Sequence, residues 1–321
     1  MATDTLERTI VMLKSTGSNK TGHANIKLAV PVSGIKPILK YRGGKSQELS
    51  NYLSYVPRFN KYYEPFFGGG ATFFALAPHR AYVADINHKL ISFYQDLVTN
   101  YPKTKRELSE LQTAYDNNRQ VFLARKKKSP DAHVIDPNDD LYYSIRDMFN
   151  NKKTRQYTYS TLYFFLNKTA YSGMIRYNKK GEFNVPYGRY AHFNTDLLNN
   201  QQVDLLKSAT IANESYEHSF ELATSKDFIF LDPPYDTKFS SYGNEEFTGD
   251  FGEAEHRKLA QDFKNLSSPA LMVISSTPLT EALYKDFIQG RYAKNYSVNI
   301  RNRFNSKAEH LIVANYDISK V

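Results

Sequence analysis

The spacing of apolar positions changes along the chain, and each change marks an element. Leu49, Tyr52, Leu53 and Val56 recur at i, i+3, i+4 and i+7, which predicts an amphipathic helix. Lys61 to Glu64 then reads as a strand, Gly68-Gly69-Gly70 as a tight turn and Ala71 to Ala77 as a helix stopped by Pro78. Ala81 to Ala84 is a second strand and Asn87 to Val98 a second helix. Such βαβα alternation requires a parallel sheet, because each helix must return the chain to the edge at which the next strand starts. Beyond about residue 100 the pattern is helical and charged. Met174-Ile175-Arg176-Tyr177 and Glu182-Phe183-Asn184-Val185 flank Asn178-Lys179-Lys180-Gly181, which predicts a hairpin with a basic tip. Strand spacing resumes at Ala209 to Ala212 and Asp227 to Leu231. Leu259, Phe263 and Leu266 share a helix face, Ala270 to Ile274 is a further strand, and Tyr296 to Ile300 with Glu309 to Tyr316 form an expected antiparallel pair. The expected architecture is a doubly wound α/β domain over residues 35–100 and 205–321. A mostly helical insert at 101–204 carries the hairpin, and a polar extension occupies 1–34.

Composition locates a partner. The 321 residues hold 42 Lys and Arg against 33 Asp and Glu, a formal charge of +9. Between Asn151 and Tyr190 eight basic residues accompany one acid, Glu182, together with ten Tyr and Phe. Cations suit phosphates and rings suit bases, so this segment is the expected nucleic-acid surface. Tyr163, Phe164 and Phe165 read instead as core residues of a helix. Arg125 to Lys128 is offset by the acids that follow and reads as a solvated loop. Cysteine is absent, which excludes disulfides, thiolate zinc sites and cysteine nucleophiles and fits a reducing compartment. The longest apolar runs are strand-sized, far below the roughly 20 residues of a membrane helix. The first residues lack the pattern of a secretory signal.

Three segments could carry chemistry. Asp232-Pro233-Pro234-Tyr235 follows the apolar strand Phe228 to Leu231, so it falls at the carboxyl edge of the sheet, where open α/β folds bind ligands. Two prolines fix the turn and remove two amide donors. The turn offers a carboxylate, a carbonyl and a ring, a set that suits an exocyclic amine on a nucleobase; a Pro-Pro turn after a strand also occurs for structural reasons alone. Glu64-Pro65-Phe66-Phe67-Gly68-Gly69-Gly70 lies at another strand-to-helix junction, and Asp85 ends the next strand 21 residues after Glu64. That is the spacing of an acid that accepts ribose hydroxyls, and it points to an adenosine-bearing cofactor. Neither GxGxxG nor a phosphate loop is present, so NAD and ATP fit poorly. Lys40-Tyr41-Arg42-Gly43-Gly44-Lys45 is a basic glycine turn ahead of a helix. The eight His show no metal-ligand spacing, and His79, His88 and His310 read as ordinary polar positions.

Taken in order, Lys40 to Lys45, Glu64 to Gly70, Asp85-Ile86-Asn87 and Asp232 to Tyr235 resemble the Dam-type (alpha-group, D12 class) DNA adenine-N6 methyltransferases. Leu166 to Asn178 and Gly181 to Tyr190 are similar to that family's recognition hairpin. The resemblance spans about residues 36 to 321. It implies a Rossmann-like domain for S-adenosyl-L-methionine (AdoMet), interrupted by a DNA target-recognition domain. It places AdoMet against Tyr41, Lys45, Glu64, Phe66, Gly68 and Gly70, with Asp85 on the ribose, Ser215 and Tyr216 at the adenine and Asp232 near the methionine amino group. Asp232, Pro233, Pro234 and Tyr235 would hold the flipped adenine. Lys40, Lys168, Tyr171, Ser172, Met174, Arg176, Lys179, Lys180 and Pro186 would contact duplex DNA. The family's usual Trp is Tyr41 here, and Ser172 and Met174 replace the Asn and Leu of GATC-reading relatives, so GATC is the leading target rather than a fixed one. The implied reaction gives N6-methyladenine and S-adenosylhomocysteine without a metal. The implied setting is a cytoplasmic, nucleoid-associated monomer with no membrane contact, and it admits a cognate restriction endonuclease. An N4-cytosine enzyme, an RNA base methyltransferase and an inactive DNA-binding relative stay open on sequence alone.

Overall fold

A computed structural model describes residues 33–41, 43–235, 251–294 and 308–321. Seven strands among these residues form one sheet: β1 (Tyr62–Glu64), β2 (Ala81–Ala84), β3 (Ala209–Ala212), β4 (Phe228–Leu231), β5 (Ala270–Ser275), β6 (Ile288–Lys294) and β7 (Ala308–Ala314). Their order is β3-β2-β1-β4-β5-β7-β6. The first five are parallel, and β7 runs antiparallel to both β5 and β6. Strands β4 and β5 are buried at every position because both faces are covered, and Ser275 at the end of β5 is their one polar residue. At the edge, β6 alternates half-buried and exposed residues. The antiparallel pair expected at Tyr296 to Ile300 is formed by Ile288–Lys294, and Tyr296 to Ile300 lies outside the described residues.

Successive strand residues feed two cores. Tyr62, Val83, Phe228, Phe230, Leu271 and Val273 face one side, and Tyr63, Tyr82, Ile229, Leu231, Met272 and Ile274 the other. The first core is continuous with Tyr142, Leu162, Tyr163, Phe164, Phe165 and Leu166 from the middle of the chain, so Tyr163, Phe164 and Phe165 are core as expected. The segment 101–204 therefore shares a buried layer with the sheet.

The helices are α1 (Leu49–Tyr52), α2 (Ala71–Leu76), α3 (His88–Lys128), α4 (Pro137–Phe149), α5 (Tyr159–Thr169), α6 (Asn200–Lys207), α7 (Tyr216–Leu222), α8 (Glu253–Lys264) and α9 (Pro278–Tyr284). The amphipathic helix expected near residue 49 is a single α turn between two 3-10 turns, yet Tyr52, Leu53 and Val56 are buried as the spacing predicts. Helix α3 runs far past Val98, and it bends at Asn100 (φ −112°, ψ 17°), two residues before Pro102. Proline has no amide to donate and its ring crowds the preceding turn, which explains a bend there. No helix among the described residues is long and apolar enough to cross a membrane.

Candidate active site and DNA-facing segment

In the sheet order β1 lies between β2 and β4, so the winding reverses between β1 and β4, and the loops after those two strands meet at the carboxyl edge. The loop after β1 carries Gly68 to Gly70. Gly68 has φ +48°, and a Cβ there would lie 2.9 Å from Tyr41 Cε1. Only glycine lets the Tyr41 ring rest on this turn. The Gly68 amide donates to Asp85 Oδ2 (2.9 Å), and the Asn87 amide donates to Oδ1 (2.9 Å). Burial pushes the Asp85 carboxyl up, against the pull of those two amides. Burial also pushes the Tyr41 hydroxyl well above its ordinary value, with the charges of Asp85 and Asp232 adding to the effect.

Asp232 follows β4. Lys45, 2% exposed, donates from Nζ to Asp232 Oδ1, to the Tyr235 hydroxyl (2.6 Å) and to the Gly43 carbonyl (3.3 Å). A buried ammonium is tolerated only when paired and hydrogen-bonded, and all three partners are acceptors. Burial raises the Asp232 carboxyl, and the Lys45 charge opposes that rise. Lys45 engages one oxygen of Asp232 and leaves the other as an acceptor. Pro233 is buried, Pro234 is exposed and Tyr235 is half-buried.

Behind this group lies a set of residues that sequence reasoning missed. Glu48 accepts from the Tyr292 hydroxyl (2.7 Å), His310 Nδ1 (2.7 Å) and Lys294. The His310 ring meets Tyr235 edge-on at 5.2 Å. His310 is wholly buried, so it is a support of the site and not the ordinary polar position the sequence suggested. Burial alone would raise the Glu48 carboxyl, but the bonds from His310, Lys294 and Tyr292 hold it at about 2.

The other expected cofactor residues divide. The Phe66 ring stacks on Tyr216 at 5.7 Å and meets Phe251 edge-on at 5.8 Å. The Tyr216 hydroxyl is bound to Asp262 (2.7 Å), and Ser215 sits beside it at the start of α7. Ile86, which the motif contained but which was not singled out, is 53% exposed next to Asp85. An apolar side chain in water at a sheet's ligand edge is a candidate surface for a ligand. Glu64 is buried and committed to the Tyr62 hydroxyl (2.7 Å) and the Phe73 amide (3.1 Å), which satisfies one donor at the start of α2.

The expected DNA residues also divide. Tyr177 and Phe183 form an antiparallel bridge, and the Asn178 amide donates to the Glu182 carbonyl (2.9 Å). Arg176 Nε donates to Asn184 Oδ1 (2.8 Å), which leaves its two terminal nitrogens as donors for a base edge. Lys179 and Lys180 are exposed. Tyr171 is 56% exposed, and its amide donates to the Pro186 carbonyl (2.9 Å). Ser172 beside it has φ +55°. The stem of Lys40 passes so close to Gly173 that a Cβ there would lie 2.7 Å from Lys40 Cδ. Lys40, Tyr171, Ser172 and Pro186 are thus neighbours, and Met174 follows half-buried. Lys168 is a correction. It is 9% exposed, its Nζ donates to the Ile38 carbonyl (2.6 Å), and burial pushes its ammonium down to about 8. It ties α5 to the segment before Lys40 and is not presented to a phosphate.

The reversal point between β1 and β4, with a glycine turn on one side and the half-buried Asp232 carboxylate on the other, defines a Rossmann-like methyltransferase architecture. The chain belongs to the D12 class N6 adenine-specific DNA methyltransferases, whose family pattern it matches over residues 41–300. It is 33% identical to the type II methyltransferase M.CviBI of Paramecium bursaria Chlorella virus NC1A, over 88% of this chain and 100% of that protein. It is 29% identical to M1.LlaDCHI of Lactococcus lactis subsp. cremoris, over 88% and 96% of the two chains. The DNA adenine methylase of Escherichia coli K12 is 28% identical, over 84% and 90%. The family decides between the amines that the Asp-Pro-Pro-Tyr turn alone left open: the enzyme is adenine-specific and acts on DNA.

Proposed function

We propose that the protein transfers the methyl group of AdoMet to N6 of an adenine flipped out of duplex DNA, with GATC the leading target sequence. The observation that carries this reading is the contact of Lys45 with both Asp232 and Tyr235 beside the glycine turn. The residues fit the cofactor: Gly68 lets the Tyr41 ring lie against the turn, Asp85 has further lone pairs for ribose hydroxyls, and Phe66 and Ile86 offer apolar surface for a purine. Tyr41 and Gly70 complete the turn. Bound there, AdoMet supplies a methyl already activated by its sulfonium.

The chain's own groups do the rest. Asp232 and the Pro233 carbonyl accept hydrogen bonds from the N6 amine, and Tyr235 stacks on the base. The amine lone pair is conjugated into the purine ring, so two acceptors that favour a pyramidal nitrogen make it a better nucleophile. Lys45 fixes the carboxylate and the phenol in one geometry, so neither has to be ordered when the base arrives. Flipping costs roughly a few kcal/mol, offset by this stacking and hydrogen bonding. Lys40, Tyr171, Ser172, Met174, Arg176 and Pro186 read or open the duplex, and Lys179 and Lys180 meet phosphates. Segment 101–204 serves as the recognition region. The protein acts as a monomer in the cytoplasm on nucleoid DNA, with or without a partner endonuclease. Plasmid incubated with protein and AdoMet should yield N6-methyladenine by nucleoside mass spectrometry, and single-molecule sequencing should map it to one short site. No modified adenine in any context would refute the reading.

A further inference from the structure

Lys89 belongs to none of the groups above. It lies in the first turn of α3, two residues after Asn87, whose Oδ1 accepts the Leu90 amide (3.1 Å) and caps the helix. The start of a helix carries partial positive charge, so a cation there is electrostatically disfavoured. What offsets this is the far end of the side chain. Lys89 Nζ donates to the Gly181 carbonyl (2.6 Å) and stands 3.9 Å from the centre of the Tyr177 ring. Gly181 is at the tip of the hairpin, and Tyr177 is on its first arm. Both partners are electron-rich, and together they fix the tip against α3.

The same short segment reaches the cofactor loop. Asp85 accepts from the Gly68 amide on one oxygen and from the Asn87 amide on the other. Hydrogen bonds therefore link Gly68 through Asp85 to Asn87, the main chain runs two residues on to Lys89, and the Lys89 ammonium reaches Gly181. We propose that Lys89 is a positioning residue that couples cofactor occupancy at Asp85 to the placement of the hairpin on DNA, an inference that rests on the cofactor and hairpin roles proposed above. Any ligand that shifts Asp85 shifts the first turn of α3 and with it the hairpin tip. Coupling of this kind is reciprocal.

The test uses the full-length protein, S-adenosylhomocysteine and a duplex containing the methylated site. Wild-type protein should bind the duplex roughly tenfold more tightly with S-adenosylhomocysteine, and S-adenosylhomocysteine more tightly by the same factor with duplex. Lys89→Met should bring both factors to about one while S-adenosylhomocysteine affinity without DNA stays at the wild-type value, and Lys89→Arg should restore the coupling. A side chain that only stabilises the fold would lower the melting temperature and leave the two factors unchanged. That result, or a wild-type factor of one, overturns the proposal. Failure of the underlying hairpin reading looks different: a Lys179→Ala/Lys180→Ala protein would then bind duplex as tightly as wild type.

Discussion

The two ends of the predicted chemistry are built on opposite plans. At the sheet edge the functional side chains are spent on one another around a buried Lys45, Glu48 and His310: Lys45 binds Asp232 and Tyr235, and Glu48 gathers Tyr292, Lys294 and His310. Along the hairpin it is the backbone that is held. Asn150 both donates to the Phe183 carbonyl (2.9 Å) and accepts the Phe183 amide (2.8 Å). Tyr142 donates to the Val185 carbonyl (2.8 Å), and Lys89 to that of Gly181. The side chains of Tyr171, Lys179 and Lys180 face water. Chemistry on a neutral amine needs fixed dipoles in a desolvated place, where they act strongly. Reading a duplex needs a rigid frame with its donors free until the DNA arrives.

Each substitution below should injure one plan and spare the other. The largest effect is expected from Asp232→Ala, which should lower methyl transfer at least roughly a thousandfold. Filter binding should show duplex affinity close to wild type; an active Asp232→Ala enzyme would remove Asp232 from the mechanism. Lys45→Met should cost roughly ten- to a hundredfold in kcat. It should also move the acid limb of the pH–rate profile to higher pH. Burial holds the Asp232 carboxyl above its usual range and Lys45 opposes that; without the cation the carboxylate is lost at a higher pH as pH falls. An unmoved limb would show that the limb reports another group.

On the hairpin, Arg176→Ala should leave kcat at saturating DNA nearly intact and relax discrimination at one base pair by about 1–3 kcal/mol. Competition between duplexes that differ at single positions measures this, and equal losses on all of them would make Arg176 a phosphate contact. The smallest effect is expected from Lys179→Ala or Lys180→Ala. Each should reduce the slope of log affinity against log salt by about 0.9 and leave base preference alone. A change in preference with the slope unchanged would reverse that assignment.

The catalytic edge was more legible in the sequence than its supports were. Phe228 to Leu231 is apolar at every position because β4 is covered on both sides, so Asp232 could be placed at a strand end without coordinates. Gly68 could be placed in a turn because three consecutive glycines punctuate the chain between a strand and a helix. His310 gave no such signal, since the apolar run Leu311 to Ala314 beside it marks a strand without saying what a histidine at its start will meet, and its partner Glu48 lies 262 residues away. Lys168 misled for a related reason: its place in the basic, aromatic stretch suggested a DNA contact, whereas packing turned it onto the Ile38 carbonyl.

The sequence by itself determined the alternation of strands and helices, the order of the motifs and the clustering of basic and aromatic residues. All three are local properties, fixed by side-chain period, by backbone preference and by which residues are neighbours in the chain. Tertiary structure alone decided which charges meet. Lys45 and Asp232 are 187 residues apart, and Lys89 and Gly181 are 92 apart. Whether a lysine ends on a carboxylate, a carbonyl or a phosphate depends on what the sheet brings within 3 Å of its nitrogen and on how much water remains there, and neither quantity is written in the residues beside it.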